Sequence, residues 1–212
     1  MGKPKPLLRF KDRTFLEQII AELKLSDTDR ITVVLGAEAE TVRKSVDLSI
    51  VNVVINKDYR KGQLSSLVAA IKATPPQTEA ILVCLVDMPF ITTEVVNKII
   101  GKFRETNAPI IVPVFNKKRG HPTLFARSVF SELLSAPQQQ GARFVLRAAC
   151  RPINPQPCAG GSPRPQGPGL RQRILELQTS ESGILIAIDT PDEYKVHFGT
   201  NPQLVTGKWL IG

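Results

Sequence analysis

Residues 81–91 read Ile-Leu-Val-Cys-Leu-Val-Asp-Met-Pro-Phe-Ile, and this stretch decides the fold of the chain. Six apolar residues in succession are typical of a strand that is buried on both faces, as parallel strands of α/β proteins are. Asp87 does not fit inside such a strand. We expect it at the carboxyl end, the edge where open α/β sheets bind ligands. Pro89 cannot donate to a sheet and should turn the chain away directly after the acid. The pattern alone fits two roles for Asp87, a ligand at a binding edge or a cap of the next turn.

Length and charge limit the kinds of protein this chain can be. Its 212 residues suit one domain with a real core, or at most two small ones, and an apolar content of 42% indicates a globular chain. The formal net charge of +9 favours anionic partners. No zinc finger or RNP-type strand accompanies that charge, and phosphorylated small molecules would account for it as well as nucleic acid would. The partners we expect are a nucleotide and a phosphorylated small molecule, and not nucleic acid.

The absence of long apolar stretches and the number of cysteines indicate where the protein works and how its thiols behave. No apolar stretch approaches the roughly 20 residues that a membrane span needs, and residues 1–8 have no signal-peptide hydrophobic region. We therefore expect a cytoplasmic protein with no membrane partner. The cysteines at 84, 150 and 158 are an odd number at no metal-like spacing, which argues against a disulfide framework or a zinc site.

Helices and strands alternate along the chain, which favours an α/β sandwich with a mostly parallel central sheet. Thr14 followed by Glu17 predicts a capping box at the start of the first helix. Strands are predicted over 31–35, 50–55, 81–86, 109–114 and 183–188. Helices are predicted over 14–24 and 38–45, from a cap at Ser65 or Ser66 through 71, and from a cap at Thr92 or Thr93 to 104. A strand-to-helix passage is predicted over 124–135 and a regular run over 171–178. The Pro/Gly-rich stretch 151–169 fits neither element, and we expect a flexible, exposed insertion within a single domain over 1–212.

Three further features could carry chemistry. Asp189 follows the apolar run 183–188 just as Asp87 follows its own, and two converging carboxylates would bind Mg²⁺ together with substrate phosphates. The hydroxyls that follow Gly62 could bind an anion at a helix N-terminus, although serine is also common there as a simple cap. His121 lies in a basic loop beside a glycine and a proline, where it fits either an ordinary surface residue or a phosphate-facing one.

Five short motifs, taken together, resemble the MobA-like nucleotidyltransferases, with the molybdenum cofactor cytidylyltransferases as the most similar members. The motifs occur in the order of that family and span nearly the whole chain. They are Met-Gly-Lys-Pro-Lys-Pro-Leu-Leu at 1–8, Gly-Gln-Leu-Ser-Ser-Leu at 62–67, Val-Asp-Met-Pro at 86–89, Gly-His-Pro at 120–122 and Ile-Asp-Thr-Pro-Asp at 188–192. The resemblance implies a Rossmann-like three-layer α/β/α nucleotidyltransferase domain.

The resemblance also implies a reaction. A nucleoside monophosphate, here CMP from CTP, would pass to a phosphorylated acceptor of the molybdopterin type with release of pyrophosphate, in the presence of Mg²⁺. A molybdoenzyme that receives the finished cofactor is the implied protein partner. By position in the motifs, Lys5 would contact the triphosphate, while Asp87 and Asp189 would lie at the metal.

The remaining motif residues would surround the substrates. Gly62, Ser65 and Ser66 match the loop near the nucleotide, and His121 matches a loop histidine on the acceptor side. The family has an apolar strand and a loop of the form Leu-Ala-Ala-Gly-x-Ser-x-Arg directly before the motif at 1–8. We therefore expect this chain to lack that strand and loop. The alternatives are guanylyl or another nucleotidyl transfer, and a non-catalytic module that binds and delivers the cofactor.

Overall fold

The computed structural model describes residues 4–137, 145–146 and 173–199 of the chain. Within these residues the strands are β1 (Arg9–Phe10), β2 (Arg13–Thr14), β3 (Thr32–Leu35), β4 (Asn52–Ile55), β5 (Ala80–Val83), β6 (Ile110–Phe115), β7 (Lys118–Arg119), β8 (Thr123–Ala126) and β9 (Ile174–Gln178). The α-helices are α1 (Phe15–Lys24), α2 (Ala39–Ser45), α3 (Gln63–Ala73), α4 (Thr93–Thr106), α5 (Phe130–Ser135) and α6 (Pro191–Phe198). None of the described helices is long and apolar enough to cross a membrane.

Helices α1, α4 and α6 begin where a threonine side chain accepts from one of the first backbone N–H groups. The predicted capping box of α1 is confirmed: the Glu17 N–H donates to Thr14 Oγ1 at 3.2 Å, and the Thr14 N–H donates to Glu17 Oε2 at 2.7 Å. Thr92 caps α4 by accepting from the N–H of Val95 at 3.3 Å. The helix predicted after Gly62 is present, but Gly62 itself is the N-cap, and the serines at 65 and 66 lie inside the first turn.

The α/β class is confirmed, but the central sheet is mixed and not mostly parallel. A five-stranded sheet runs in the order β5-β8-β6-β7, with β9 joined to β6. Strand β8 returns between β5 and β6 and is antiparallel to both, whereas β6 and β9 are parallel. A separate parallel pair consists of β3 and β4. Strand β8 therefore breaks the parallel order that the alternation of helices and strands predicted.

Two predicted strands differ from the structure near the acidic residues. The strand predicted over 81–86 is β5 and ends at Val83, so Asp87 lies in the turn that follows and not at the last strand position. The predicted strand 183–188 is wrong: Ser182–Leu185 is a 3₁₀ helix. This stretch is apolar because Ile184 and Ile188 are buried in the core, at 1% and 0% exposure, and not because it pairs with other strands.

Helices α1 and α3 hold the β3–β4 pair and the five-stranded sheet together. Apolar side chains near the start and middle of α1 pack against β3, while Leu23 at its end packs in the cluster of Leu82 in β5. Helix α3 contacts β3 and β4 and also buries Leu67 and Ile71 against the five-stranded sheet. The predicted insertion 151–169 lies outside the described residues.

Candidate functional site

Three charged side chains from distant parts of the sequence meet at one point. The Lys5 ammonium lies 2.6 Å from Asp189 Oδ1 and 3.8 Å from Asp87 Oδ2. The Lys5 side chain is 7% exposed, compared with 27% for Asp87 and 57% for Asp189, so the cluster extends from the protein interior to its surface. The structure thus brings together the lysine and both acids that the motifs indicated.

Lys5 is held in place by the short 3₁₀ helix Lys5–Leu7. Its carbonyl oxygen accepts from the N–H of Leu8 at 3.1 Å, and Leu8 in turn accepts from the N–H of Phe15 at 2.8 Å. Leu8 is 1% exposed, so this turn is anchored to the core immediately before the chain enters α1. A lysine on an anchored turn loses less freedom when its ammonium binds an anion than one on a mobile surface loop does.

Asp87 is a partly buried acid whose second oxygen is unsatisfied. Its Oδ1 atom is buried and has no hydrogen-bond partner among the described residues. Burial is the largest influence and raises the pKa of Asp87 above its ordinary value, Lys5 opposes that rise, and the nearby charge of Asp189 adds to it. An unsatisfied buried carboxylate oxygen is costly unless it binds something. This atom is where the site is best prepared for a cation.

Asp189 comes directly before α6, whose N-cap is Thr190. The backbone N–H groups of Asp189 and Thr190 both donate to Glu193 Oε2, at 2.7 and 2.9 Å, and these bonds lower the pKa of Glu193. The N–H of Ile188 donates to the Asp87 carbonyl oxygen at 2.8 Å. The two acid-bearing segments are therefore joined through the backbone, and this bond explains why residues so far apart in sequence converge.

An aromatic cluster packs together the segments that follow the three charged residues. The rings of Phe90 and Phe198 are stacked with centroids 5.5 Å apart, and Phe10 meets Phe90 edge to face at 5.2 Å. The Tyr194 hydroxyl donates to the Arg9 carbonyl oxygen at 2.9 Å. Phe10 follows Lys5, Phe90 follows Asp87, and α6 follows Asp189. The cluster therefore contributes to the relative positions of the three charges.

The Gly62–Ser66 segment forms a second polar region after strand β4. Asn56, the residue after that strand, is 4% exposed, and its amide nitrogen donates to Ser65 Oγ at 2.8 Å and to Ser66 Oγ at 3.0 Å. Sequence reasoning did not single out Asn56. The available signal was its position directly after an apolar strand, where a buried amide needs partners. Among the described residues, no hydrogen bond joins this segment to Lys5 or to either acid of the three-charge cluster.

His121 lies in the loop between β7 and β8, close enough for its charge to lower the pKa of Asp87. Its backbone N–H donates to the Ile184 carbonyl oxygen at 3.0 Å. Gly120 is pressed against the same carbonyl, because a Cβ at that position would lie 2.3 Å from the oxygen. The glycine thus lets the loop approach the segment that leads to Asp189, and it places His121 on the Asp87 side of the site.

Comparison with known proteins assigns this chain to a family. The model of the MobA-like NTP transferase domain matches residues 1–153. The chain belongs to this family. It is a nucleotidyltransferase of the MobA-like type, and the resemblance based on its five motifs is confirmed.

Two curated relatives carry different names. The chain is 26% identical over 195 residues to the molybdenum cofactor cytidylyltransferase of Escherichia coli K12, an alignment that covers 92% of this chain and 86% of the relative. It is 27% identical over 155 residues to the nicotine blue oxidoreductase of Paenarthrobacter nicotinovorans, covering 68% and 73%.

Solved structures have the same Rossmann-like fold. A homologue of Mycobacterium tuberculosis Rv0371c from Mycobacterium sp. strain JC1 is 26% identical, with a TM-score of 0.70 and coverage of 92% of this chain and 86% of that one. The Rv0371c complex with manganese is 24% identical, with a TM-score of 0.68 and coverage of 92% and 91%.

Proposed function

We propose that this chain transfers CMP from CTP to a phosphorylated acceptor of the molybdopterin type and releases pyrophosphate, with Mg²⁺ as the metal. The observation that carries the proposal is the buried, unsatisfied Oδ1 of Asp87 beside Lys5 and Asp189. The choice of CTP and of the acceptor rests on the cytidylyltransferase relative, which aligns with 92% of this chain.

The donor set fits a hard divalent cation that is shared with a substrate. Mg²⁺ binds through one or two carboxylates and completes its shell with water and phosphate oxygens. Asp87 and Asp189 supply two carboxylates. No group of three or more acidic, histidine or cysteine side chains that could hold a metal occurs in the part of the chain that the structure describes. The site is therefore suited to a metal that arrives with a triphosphate, and a manganese complex is known for a protein of the same fold.

The reaction brings two anions together, and the charges of the site oppose that repulsion. An acceptor phosphate oxygen forms a bond to the α-phosphorus of CTP, the bond from that phosphorus to the bridging oxygen breaks, and pyrophosphate leaves with the electron pair. Lys5 would bind the phosphate oxygens, where its ammonium stabilises charge on the transferring and departing groups. When bound, the metal supplies Lewis-acid stabilisation of the same charge. No nucleophilic side chain is needed in this step.

His121 would face the acceptor, and the Gly62–Ser66 segment would face the nucleotide. The support for His121 is its electrostatic influence on Asp87 from the side of the β7–β8 loop. The support for the segment is the polar cluster at the start of α3. Guanylyl transfer uses the same charges and differs only in the base. A cofactor-delivery module that passes the cofactor to a molybdoenzyme would keep acceptor binding without turnover.

The test is pyrophosphate release from CTP or GTP with the molybdopterin-type cofactor and Mg²⁺. Asp87→Asn should lower turnover by at least about a hundredfold, because it removes the charge of a metal ligand. Asp27→Asn is the matched control, since Asp27 is an exposed acid paired with Arg104 on another face. Normal turnover in Asp87→Asn would refute the metal assignment. Cofactor binding without pyrophosphate release from either nucleotide would favour the delivery module.

A further inference from the structure

We propose that Asn56 is a positioning residue that makes the hydroxyl of Ser66 a fixed hydrogen-bond donor to an acceptor oxygen of the nucleotide. This inference rests on the proposed function, because it assigns the Gly62–Ser66 segment a nucleotide as its ligand. It adds Asn56, which lies outside the five sequence motifs, to the residues of that function. It also states which way the Ser66 hydroxyl proton points.

The orientation of the Asn56 amide is determined by the backbone. The N–H of Asp58 donates to Asn56 Oδ1 at 2.9 Å, and a backbone N–H can act only as a donor. The oxygen of the amide must therefore face Asp58, and the NH₂ group must face the serines. The usual ambiguity between the oxygen and nitrogen of an asparagine side chain is removed at this position. Asn56 is also tied to the neighbouring strand, because its own N–H donates to the Leu35 carbonyl oxygen at 2.8 Å.

The two amide hydrogens determine the roles of the two hydroxyls. Asn56 donates one to Ser65 Oγ and the other to Ser66 Oγ, so both hydroxyl oxygens act as acceptors. Ser65 then donates its own proton to the Gly62 carbonyl oxygen at 2.7 Å. The Ser66 hydroxyl proton has no acceptor among the hydrogen bonds of the described residues. Because Asn56 donates to one lone pair of the Ser66 oxygen, the Ser66 proton points away from Asn56 and is available to a ligand.

The place of Ser66 in the fold suits an anionic or carbonyl-bearing ligand. It lies in the first turn of α3 and is partly exposed, whereas Ser65 beside it is 5% exposed. The N-cap, Gly62, has no side chain that could satisfy the first N–H groups of the helix. A phosphate oxygen and a base carbonyl of the nucleotide are both acceptors, and either would take the Ser66 proton.

Asn56→Asp is the substitution that tests this arrangement. A carboxylate of nearly the same shape can keep the bond from the Asp58 N–H, but it can only accept, so both serine protons would turn toward it. The dissociation constant for CTP, measured by calorimetry without acceptor, should rise about tenfold. Ser66→Ala removes the donor and should cause the same loss. Ser66→Thr keeps the hydroxyl and should bind CTP as the unmodified chain does.

Asn52→Asp is the matched control, because Asn52 lies on the same strand β4, is exposed, and makes only a 3.4 Å contact with the Ile31 carbonyl oxygen. It should leave CTP binding unchanged. Asn56→Asp combined with Ser66→Ala should bind no more weakly than either variant alone, since both act on one hydrogen bond. Binding of tripolyphosphate identifies the acceptor atom. If Ser66→Ala weakens the binding of tripolyphosphate, the acceptor is a phosphate oxygen; if it weakens only the binding of CTP, the acceptor is on the base.

The outcomes separate this inference from the proposed function. If the unmodified chain binds CTP and Ser66→Ala binds it equally well, the inference is refuted and the proposed function stands. Additive losses in the double variant would also refute it, because they would show that Asn56 acts independently of Ser66. If the unmodified chain binds neither CTP nor tripolyphosphate, the proposed function fails and this inference fails with it. Ser66→Ala leaves one hydrogen of the buried Asn56 amide without its acceptor, so its urea midpoint is measured beside its CTP binding. Ser66→Thr keeps that acceptor, so the Ala–Thr pair keeps the test decisive even if Asn56→Asp does not fold.

Discussion

Replacing Lys5 with methionine should destabilise the fold at neutral pH and much less in mild acid. The substitution keeps most of the buried aliphatic stem and removes the ammonium that lies between two carboxylates. Asp87 then remains partly buried and loses its largest compensating charge. The effect is thus a test of electrostatics and not of packing.

The magnitude follows from the distances and the exposure. Unit charges about 4 Å apart interact by about 4 kcal/mol near a protein surface, and breaking a fully buried pair costs about 3–5 kcal/mol. Asp189 is 57% exposed and retains most of its hydration, so its share is strongly reduced. We expect Lys5→Met to lower the free energy of unfolding by about 2 kcal/mol at pH 7.

The pH dependence has a definite sign. Burial raises the pKa of Asp87 above its ordinary value, so the folded state binds this proton more readily than the unfolded state does. Stability from this group therefore falls as pH rises between the ordinary and the raised pKa. Lys5 opposes the rise, so removing it should move the pKa of Asp87 further up and extend that window toward neutrality. As pH falls through this window, Asp87 is increasingly protonated in the variant and the loss should shrink.

Urea titrations at pH 7 and pH 5 measure both quantities. Lys98→Met is the control, because Lys98 is half-exposed and paired with Glu94 one turn away on α4, where such a pair is worth about 0.5 kcal/mol or less. A loss in Lys5→Met that is the same at both pH values would refute the electrostatic reasoning. A loss no larger than that of Lys98→Met would show that the three charges do not stabilise one another.

Three further perturbations probe the surroundings of the site. Gly120→Ala would place a Cβ 2.3 Å from the Ile184 carbonyl oxygen and should cost at least about 2 kcal/mol by thermal unfolding, whereas Gly101→Ala, in an open helical position, should stabilise by about 0.5–1 kcal/mol. The hydrogen bonds that lower the pKa of Glu193 give stability above its ordinary pKa that is lost as pH falls through the lowered one. Glu193→Gln should therefore reduce the urea midpoint at pH 7, and this reduction should shrink as pH falls through the lowered pKa. Burial raises the pKa of the Cys84 thiol to about 12. In a variant without the other two cysteines, Cys84 should therefore react with iodoacetamide far more slowly in the folded than in the urea-unfolded chain. Equal rates would contradict this.

Local sequence chemistry was sufficient to predict the helices. Thr14 and Glu17 form a capping box at the first helix, and both reciprocal bonds are present in the structure. Such signals work because capping depends on side chains three residues apart and needs no tertiary information. Ser65 and Ser66 show the limit of this reasoning: the same residue type at a helix start became part of a buried hydrogen-bond cluster, because Asn56 supplied donors from another element.

Apolar runs were a weaker guide, since burial alone does not specify strand pairing. The stretch 183–188 has the composition of a strand, yet Gly183 is pressed against the Phe90 carbonyl oxygen and the chain coils into a 3₁₀ helix there. Asp189, which follows this run, nevertheless lies close enough to Asp87 for its charge to raise the pKa of Asp87. The convergence of Lys5 with Asp189, 184 residues away, could be predicted only from the resemblance to a family, because no local pattern encodes it.

The separation of β3 from β5 explains why helices and aromatic packing carry so much of the site. Among the described residues β3 pairs only with β4, and β5 pairs only with β8, so no backbone ladder connects the strand before Asn56 with the strand before Asp87. Their relative position depends on α1 and α3, whose apolar faces contact both groups of strands. Side-chain packing is more easily distorted than a hydrogen-bonded sheet. The bond from the Ile188 N–H to the Asp87 carbonyl oxygen and the Lys5–Asp189 ion pair are therefore the contacts that fix the three charges, while the Gly62–Ser66 segment is positioned independently by Asn56. The reaction needs both the three charges and the serines. A substrate that contacts them at once would hold these two regions at a fixed distance from each other.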